Sequence, residues 1–185
     1  MKRIIIIAAL ALLTAFQASA QRFSVGTNAL EWATLGTMEA DLSAALARRV
    51  TFHVGVQYNP WTFHKGDVDR QFESRQLSGW AGFRYWPWHV YSGWWVGADA
   101  KYTQYNIGGF RADRLTEEGD AIGGALWGGY DIMLSDRWNI DLGVGVWAGN
   151  KRYRDYSCPI CGRIVEQGNK FFIIPDLRVA IQYIF

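Results

Sequence analysis

The chain has 185 residues, of which half are hydrophobic and 16% aromatic, with 19 basic residues against 17 acidic ones. Its positive excess resides in Lys2 and Arg3; the charges of the remainder balance, which excludes the global basic surface that binds nucleic acid by counterion release. The length fits one domain, and no Pro- or Ser-rich linker, low-complexity tract or internal repeat divides it.

Lys2 and Arg3 precede an apolar run from Ile4 to Leu13, followed by Ala18, Ser19 and Ala20. The run is too short to cross a bilayer as a helix. Positive charge, short apolar stretch and small residues, in that order, predict a cleaved signal peptide over 1–20 and one exported domain over 21–185. No later apolar run is long enough for a transmembrane helix.

Downstream the apolar residues alternate with a period of two, the signature of strands with two unlike faces. Weak alternation marks Phe23 to Ala29 and Met38 to Ala44. It is strong from Val50 to Tyr58, where Val50, Phe52, Val54, Val56 and Tyr58 oppose Thr51, His53, Gly55 and Gln57. Further strands are predicted over Leu77 to Tyr85, Trp94 to Thr103, Ile122 to Leu134, Trp138 to Val146 and Asp176 to Phe185. About eight strands make the smallest usual transmembrane β-barrel, and closure is what lets a sheet sit in lipid without unpaired edges. The predicted fold is all-β, a closed antiparallel up-and-down barrel.

Alternation alone does not say which face points out, because a soluble ligand-binding barrel has the same period with its apolar face inward. Three features favour the membrane form. Short turns near Arg48, His89 and Asp136 alternate with long loops around Lys65, Arg114 and Cys158, the phase expected for periplasmic termini and extracellular loops. Aromatic residues gather near strand ends, as in Tyr58 with Trp61, Tyr85 with Trp86 and Trp88, Trp94 with Trp95, and Tyr102 with Tyr105, where interfacial rings belong. Ile181, Tyr183 and Phe185 share the apolar face at the end of the sequence and are expected to form the insertion signal read by the barrel-assembly machinery.

On the other face, Gly82, Gly97, Gly123, Gly129, Gly143 and Gly145 are expected to make room for Trp80, Trp127 and Trp147 in a packed interior. There Arg84, Asp99, Lys101, Asp131, Asp141 and Arg178, with Glu39, Asp41 and Asp176, must find partners, because a desolvated charge is costly when alone. This argues for a structural network and against a pore.

Three local features remain. Cys158-Pro159-Ile160-Cys161 in the last long loop suits a small disulfide in an oxidising compartment; a zinc site would need more ligands than the loop offers, and a redox motif would need a helix to lower the thiol pKa. Lys151, Arg152 and Arg154, with Arg163, make that loop basic and are candidates for contact with anionic lipopolysaccharide headgroups. His64 with Lys65, Asp67 and Asp69 is the one candidate for acid–base chemistry, but no G-x-S-x-G, H-E-x-x-H or phosphate-binding glycine loop accompanies it. No catalytic, cofactor or metal site is expected.

Asn59-Pro60-Trp61-Thr62-Phe63, Arg84-Tyr85-Trp86, Gln104-Tyr105-Asn106-Ile107-Gly108-Gly109, Gly128-Gly129-Tyr130, Trp138-Asn139, the cysteine loop and the final Tyr183-Ile184-Phe185 together resemble the domain of unknown function 3575 family of outer-membrane barrels. The resemblance spans nearly the whole exported chain and implies a cell-surface context in Gram-negative anaerobes, sometimes near fimbrial components. The expected function is a non-enzymatic barrel, in contact with outer-membrane lipid, that is structural or binds a surface partner through its extracellular loops. The alternatives are an accessory factor for fimbriae or another surface structure, and an outer-membrane enzyme acting on lipid or peptide.

Overall fold

The computed structural model describes residues 22–34, 36–67, 70–109, 115–158, 160 and 162–185; the expected signal peptide lies outside the described residues. Eight strands follow in order: β1 (Phe23–Asn28), β2 (Met38–Ala47), β3 (Val50–Phe63), β4 (Phe72–Tyr85), β5 (Gly93–Gly108), β6 (Thr116–Met133), β7 (Trp138–Tyr156) and β8 (Ile164–Ile184). A short helix, α1 (Ala29–Ala33), joins β1 to β2. Each strand pairs antiparallel with the next and β8 pairs with β1, so the sheet closes as an up-and-down barrel.

The register fixes the barrel's geometry. Following cross-strand partners from Val25 leads through Leu42, Val54, Ala81, Ala100, Gly124 and Ala148 to Ile173. Yet the β8 residue that pairs with Val25 itself is Tyr183. One circuit therefore climbs ten residues along β8, and this stagger is what tilts the strands of a small barrel by about 40°.

Six of the strands, β3 to β8, are longer than the alternation predicts at the end away from the termini, here called the upper end, while β2 runs on at the lower end to Ala47. β3 runs on to Phe63, β5 to Gly108 and β7 to Tyr156, while β4 begins at Phe72, β6 at Thr116 and β8 at Ile164. These extensions carry Gln104, Asn106, Glu118, Arg152 and Arg154, so they lose the apolar period while keeping the backbone ladder. The expected contrast of turns and loops is corrected accordingly. Two residues connect β2 to β3, but 86–92 at the lower end is as long as 109–115 at the upper. The lower segment is long because it folds into the barrel mouth. Trp86, Val90 and Tyr91 pack there with Trp95 and Ile184, and Asn139 Nδ2 donates to the Tyr91 carbonyl (2.8 Å).

The faces are those of an inverted protein. Leu42, Phe83, Val96, Leu126, Val144 and Leu177 are all more than half exposed on the outside, whereas Asp41, Arg84, Asp131, Asp141 and Arg178 are buried inside.

The wall is uneven. β1 stops at Asn28, so residues 164–179 of β8 have no β1 partner, and β2 reaches only the level of Tyr58 on β3. Asn28 seals the corner. Its Oδ1 accepts from Val179 N (3.1 Å) and from Leu30 N (3.2 Å), and its Nδ2 donates to Leu177 O (3.4 Å), so one side chain both caps α1 and extends the ladder. Backbone groups alternate sides along a strand, which places Pro175, two residues before Leu177, with its missing N–H on that open edge, where a ladder loses nothing.

Candidate functional site

The interior holds a central charged network with separate ion pairs above it. At its centre Asp141 Oδ2 accepts from Arg84 (3.0 Å), Arg178 Nε (2.8 Å) and Gln182 (2.9 Å), while Oδ1 accepts from Trp95 Nε1 (2.7 Å). Arg178 reaches on to Glu39 (3.1 Å) and Asp41 (3.6 Å). The Arg84 guanidinium lies 4.4 Å from the Trp95 ring centroid. Higher up, His53 meets Asp99 (2.9 Å), and Lys101 meets Asp176 (3.3 Å) beneath the Trp147 ring. Asp131 is nearly as buried as Asp141, beside it in the ladder, but neither of its carboxylate oxygens has a hydrogen-bond partner by distance and angle among the described residues.

The structure thus brings all six candidate interior charges, with Glu39, Asp41 and Asp176, inside the barrel. The space left among Glu31, Glu39, Gln57, Lys101, Asp176 and Arg178 is about 30 Å³, room for about one water.

Four of the described glycines lie against interior tryptophan rings, and not all are the expected ones. A Cβ at Gly55 would sit 2.2 Å from Trp80, at Gly145 2.5 Å from Trp127, and at Gly129 2.5 Å from Trp95, with Gly143 also against Trp95. Trp86 and Trp95 are a correction, because they fill the lower interior, 0% and 1% exposed, instead of joining an outer aromatic girdle. Their inward parity was legible in the alternation, since Trp94 and Val96 flank Trp95 on the opposite face. Tyr183 and Phe185 do lie on the outside, with Tyr183 ring contacts to Trp138 and Phe185 at 5.0 Å each.

The second feature lies on the outer surface of the upper end. A groove of about 900 Å³ crosses β3 to β7, with Tyr58, Leu77 and Tyr102 along its lower rim and Arg75, Asn106, Glu118, Asp120, Arg152 and Arg154 above. Arg75 is held by Glu73 (3.3 Å), and the Asn106 amide bridges the two, its nitrogen 3.0 Å from Glu73 and its oxygen 2.7 Å from Arg75. Glu73, above the apolar band, has its pKa raised by burial, with Arg75 opposing.

The basic trio is split here. Lys151 turns inward onto Glu117, which also accepts from Tyr105 (2.6 Å), so it is withdrawn as a lipid contact. Arg152 and Arg154 point outward into the groove. They stand directly across from Asp120 and Glu118, yet no ion pair engages either among the described residues. Arg75, Glu118 and Asp120 were missed from the sequence because their neighbours come from other strands.

The other candidates stay apart. His64, Lys65 and Asp67 are exposed at the β3–β4 tip, where His64 adopts a positive φ of 52° and its carbonyl accepts from Asp67 N; Asp69 lies outside the described residues. Cys158 is disulfide-bonded, no described cysteine is free, and Cys161, the second cysteine of the sequence, lies outside the described residues.

No curated protein matches the chain. A family model described as a protein of unknown function (DUF3575) matches residues 4–185.

Proposed function

Since the chain belongs to the DUF3575 family, whose description states no activity, we propose from the geometry that it is a non-enzymatic outer-membrane β-barrel. Its wall crosses the membrane, its termini face the periplasm and its upper hairpins stand outside the cell. One observation carries this reading: the outside of the barrel is apolar all the way round, while the inside is charged and closed. A soluble ligand-binding barrel needs the reverse. In lipid the arrangement is the stable one, because only closed barrels and helices satisfy every backbone group there.

The filled interior favours anchoring and display over transport. Surface binding then falls to the upper ends, where β7 and β8 rise above the low wall of β1 and β2. Partner candidates remain outer-membrane lipid and a surface or fimbrial protein; insertion would pass through the barrel-assembly machinery.

The test compares gel mobility of the full chain from the outer-membrane fraction, with and without boiling. A heat-dependent shift in that fraction is the expected result. Recovery in the soluble periplasm with no shift would overturn the reading.

A further inference from the structure

We propose that the outer groove between β3 and β7 is a site for the phosphorylated sugar headgroup of an outer-leaflet glycolipid, with Arg152 and Arg154 as its phosphate ligands. The inference rests on the outer-membrane reading, which places the groove at the outer boundary of the lipid.

Position is the first argument. Tyr58, Leu77 and Tyr102 end the apolar band on their strands, and they form the lower rim of the groove. Directly below, cross-strand partners Ala81, Ala100, Gly124 and Ala148 leave a smooth wall of small side chains. A ligand in the groove can therefore lay its chains on the apolar band with its head above it.

Chemistry is the second. Inside the barrel Arg84, Lys101 and Arg178 each meet a carboxylate. Among the described residues Arg152 and Arg154 do not, although Asp120 and Glu118 face them across the ladder, so their guanidinium donors are open to a ligand. Guanidinium forks match phosphate oxygens with paired hydrogen bonds, which ammonium groups do not. The remaining groups suit a sugar better than a plain phosphodiester. Glu118 and Asp120 accept from hydroxyls, Asn106 and Gln104 supply amides, and Tyr102 offers a ring face. The two carboxylates would repel a simple anionic phospholipid and so argue for a ligand rich in hydroxyl donors.

The experiment is native mass spectrometry of the full chain in detergent micelles with diphosphorylated lipid A as the probe. Dephosphorylated lipid A and phosphatidylglycerol are the comparisons, and Arg152→Glu/Arg154→Glu is the variant. Wild type is expected to hold lipid A at least tenfold better than it holds either comparison lipid, and the variant is expected to lose that margin. Arg137→Glu, at the lower end, is expected to leave it intact. Absence of lipid A on wild type, equal retention by the double variant, or equal binding of phosphatidylglycerol would each overturn the proposal. Should the double variant fail to fold, Arg154→Gln takes its place, with a smaller loss expected. Unboiled gel mobility of the same samples reports barrel closure separately, so a failed groove and a failed barrel give different results.

Discussion

On the inner face of β7, Asp141 accepts four hydrogen bonds and is wholly buried. On the outer face of the same strand, Arg152 and Arg154 stand across from acidic residues with no ion pair to either among the described residues. The two regions use the same residue types and differ in solvent. A buried charge loses its hydration and is tolerated only when partners replace it. At the water-exposed upper end a direct ion pair is worth so little that side-chain entropy decides the geometry. The inner charges are therefore committed to the fold, and Arg152 and Arg154 are left available, unlike Arg75, which Glu73 holds.

Asp141→Asn is expected to have the largest effect. Two arginines, 3.0 and 2.8 Å from one carboxylate oxygen, would keep their desolvation while Arg84 loses its carboxylate partner and Arg178 keeps only Glu39 and Asp41, a change that costs about 3–5 kcal/mol in buried networks. Urea unfolding in micelles should show a midpoint well below wild type. Asp131→Asn is the matched control. That carboxylate is almost as buried with no hydrogen bond to lose by distance and angle among the described residues, so the neutral amide is expected to leave stability unchanged or raise it. Equal losses from both substitutions would mean that burial alone, and not pairing, sets the cost.

A smaller effect separates the faces at adjacent glycines of β6. At Gly129 a Cβ meets Leu142 O at 2.4 Å and the Trp95 ring at 2.5 Å, whereas at Gly128 nothing lies within 4 Å. Gly129→Ala is expected to lower stability by about 1–3 kcal/mol through overpacking, and Gly128→Ala to change it by less than about 0.5 kcal/mol. Heat-modified mobility across a temperature series would rank them; equal behaviour would contradict the close packing of the interior.

Most of the barrel was legible because its signal is local. Strict alternation from Trp138 to Val146 fixes a strand and its faces without reference to any neighbour, and the same parity puts Arg84, Asp99, Lys101, Asp131, Asp141 and Arg178 on one side. What escaped depends on other strands. That Gly55 is the glycine beneath Trp80 follows from the β3–β4 register, in which the two residues face each other directly. The upper strand extensions escaped because polar residues there keep the ladder without the apolar period. The groove escaped for both reasons: Arg75, Glu118 and Arg154 become neighbours only through the pairing of β4 to β7, in segments that read as loop. Lys151 reads with Arg152 and Arg154 as one basic surface, but in a strand the first two members of that run must point opposite ways.

The smallest expected effect on stability belongs to the outer arginines. Arg152→Ala/Arg154→Ala removes two positive charges from the wall, as large a formal change as any made inside. With no ion pair to break among the described residues, the unfolding free energy should move by less than about 0.5 kcal/mol, and the unboiled band should run as wild type. The same truncation is expected to lower lipid A retention, because the lost donors are those open to phosphate. A loss of stability comparable to that of Asp141→Asn would show that the outer arginines serve the fold after all, since a groove free to recognise a ligand cannot also be holding the wall together.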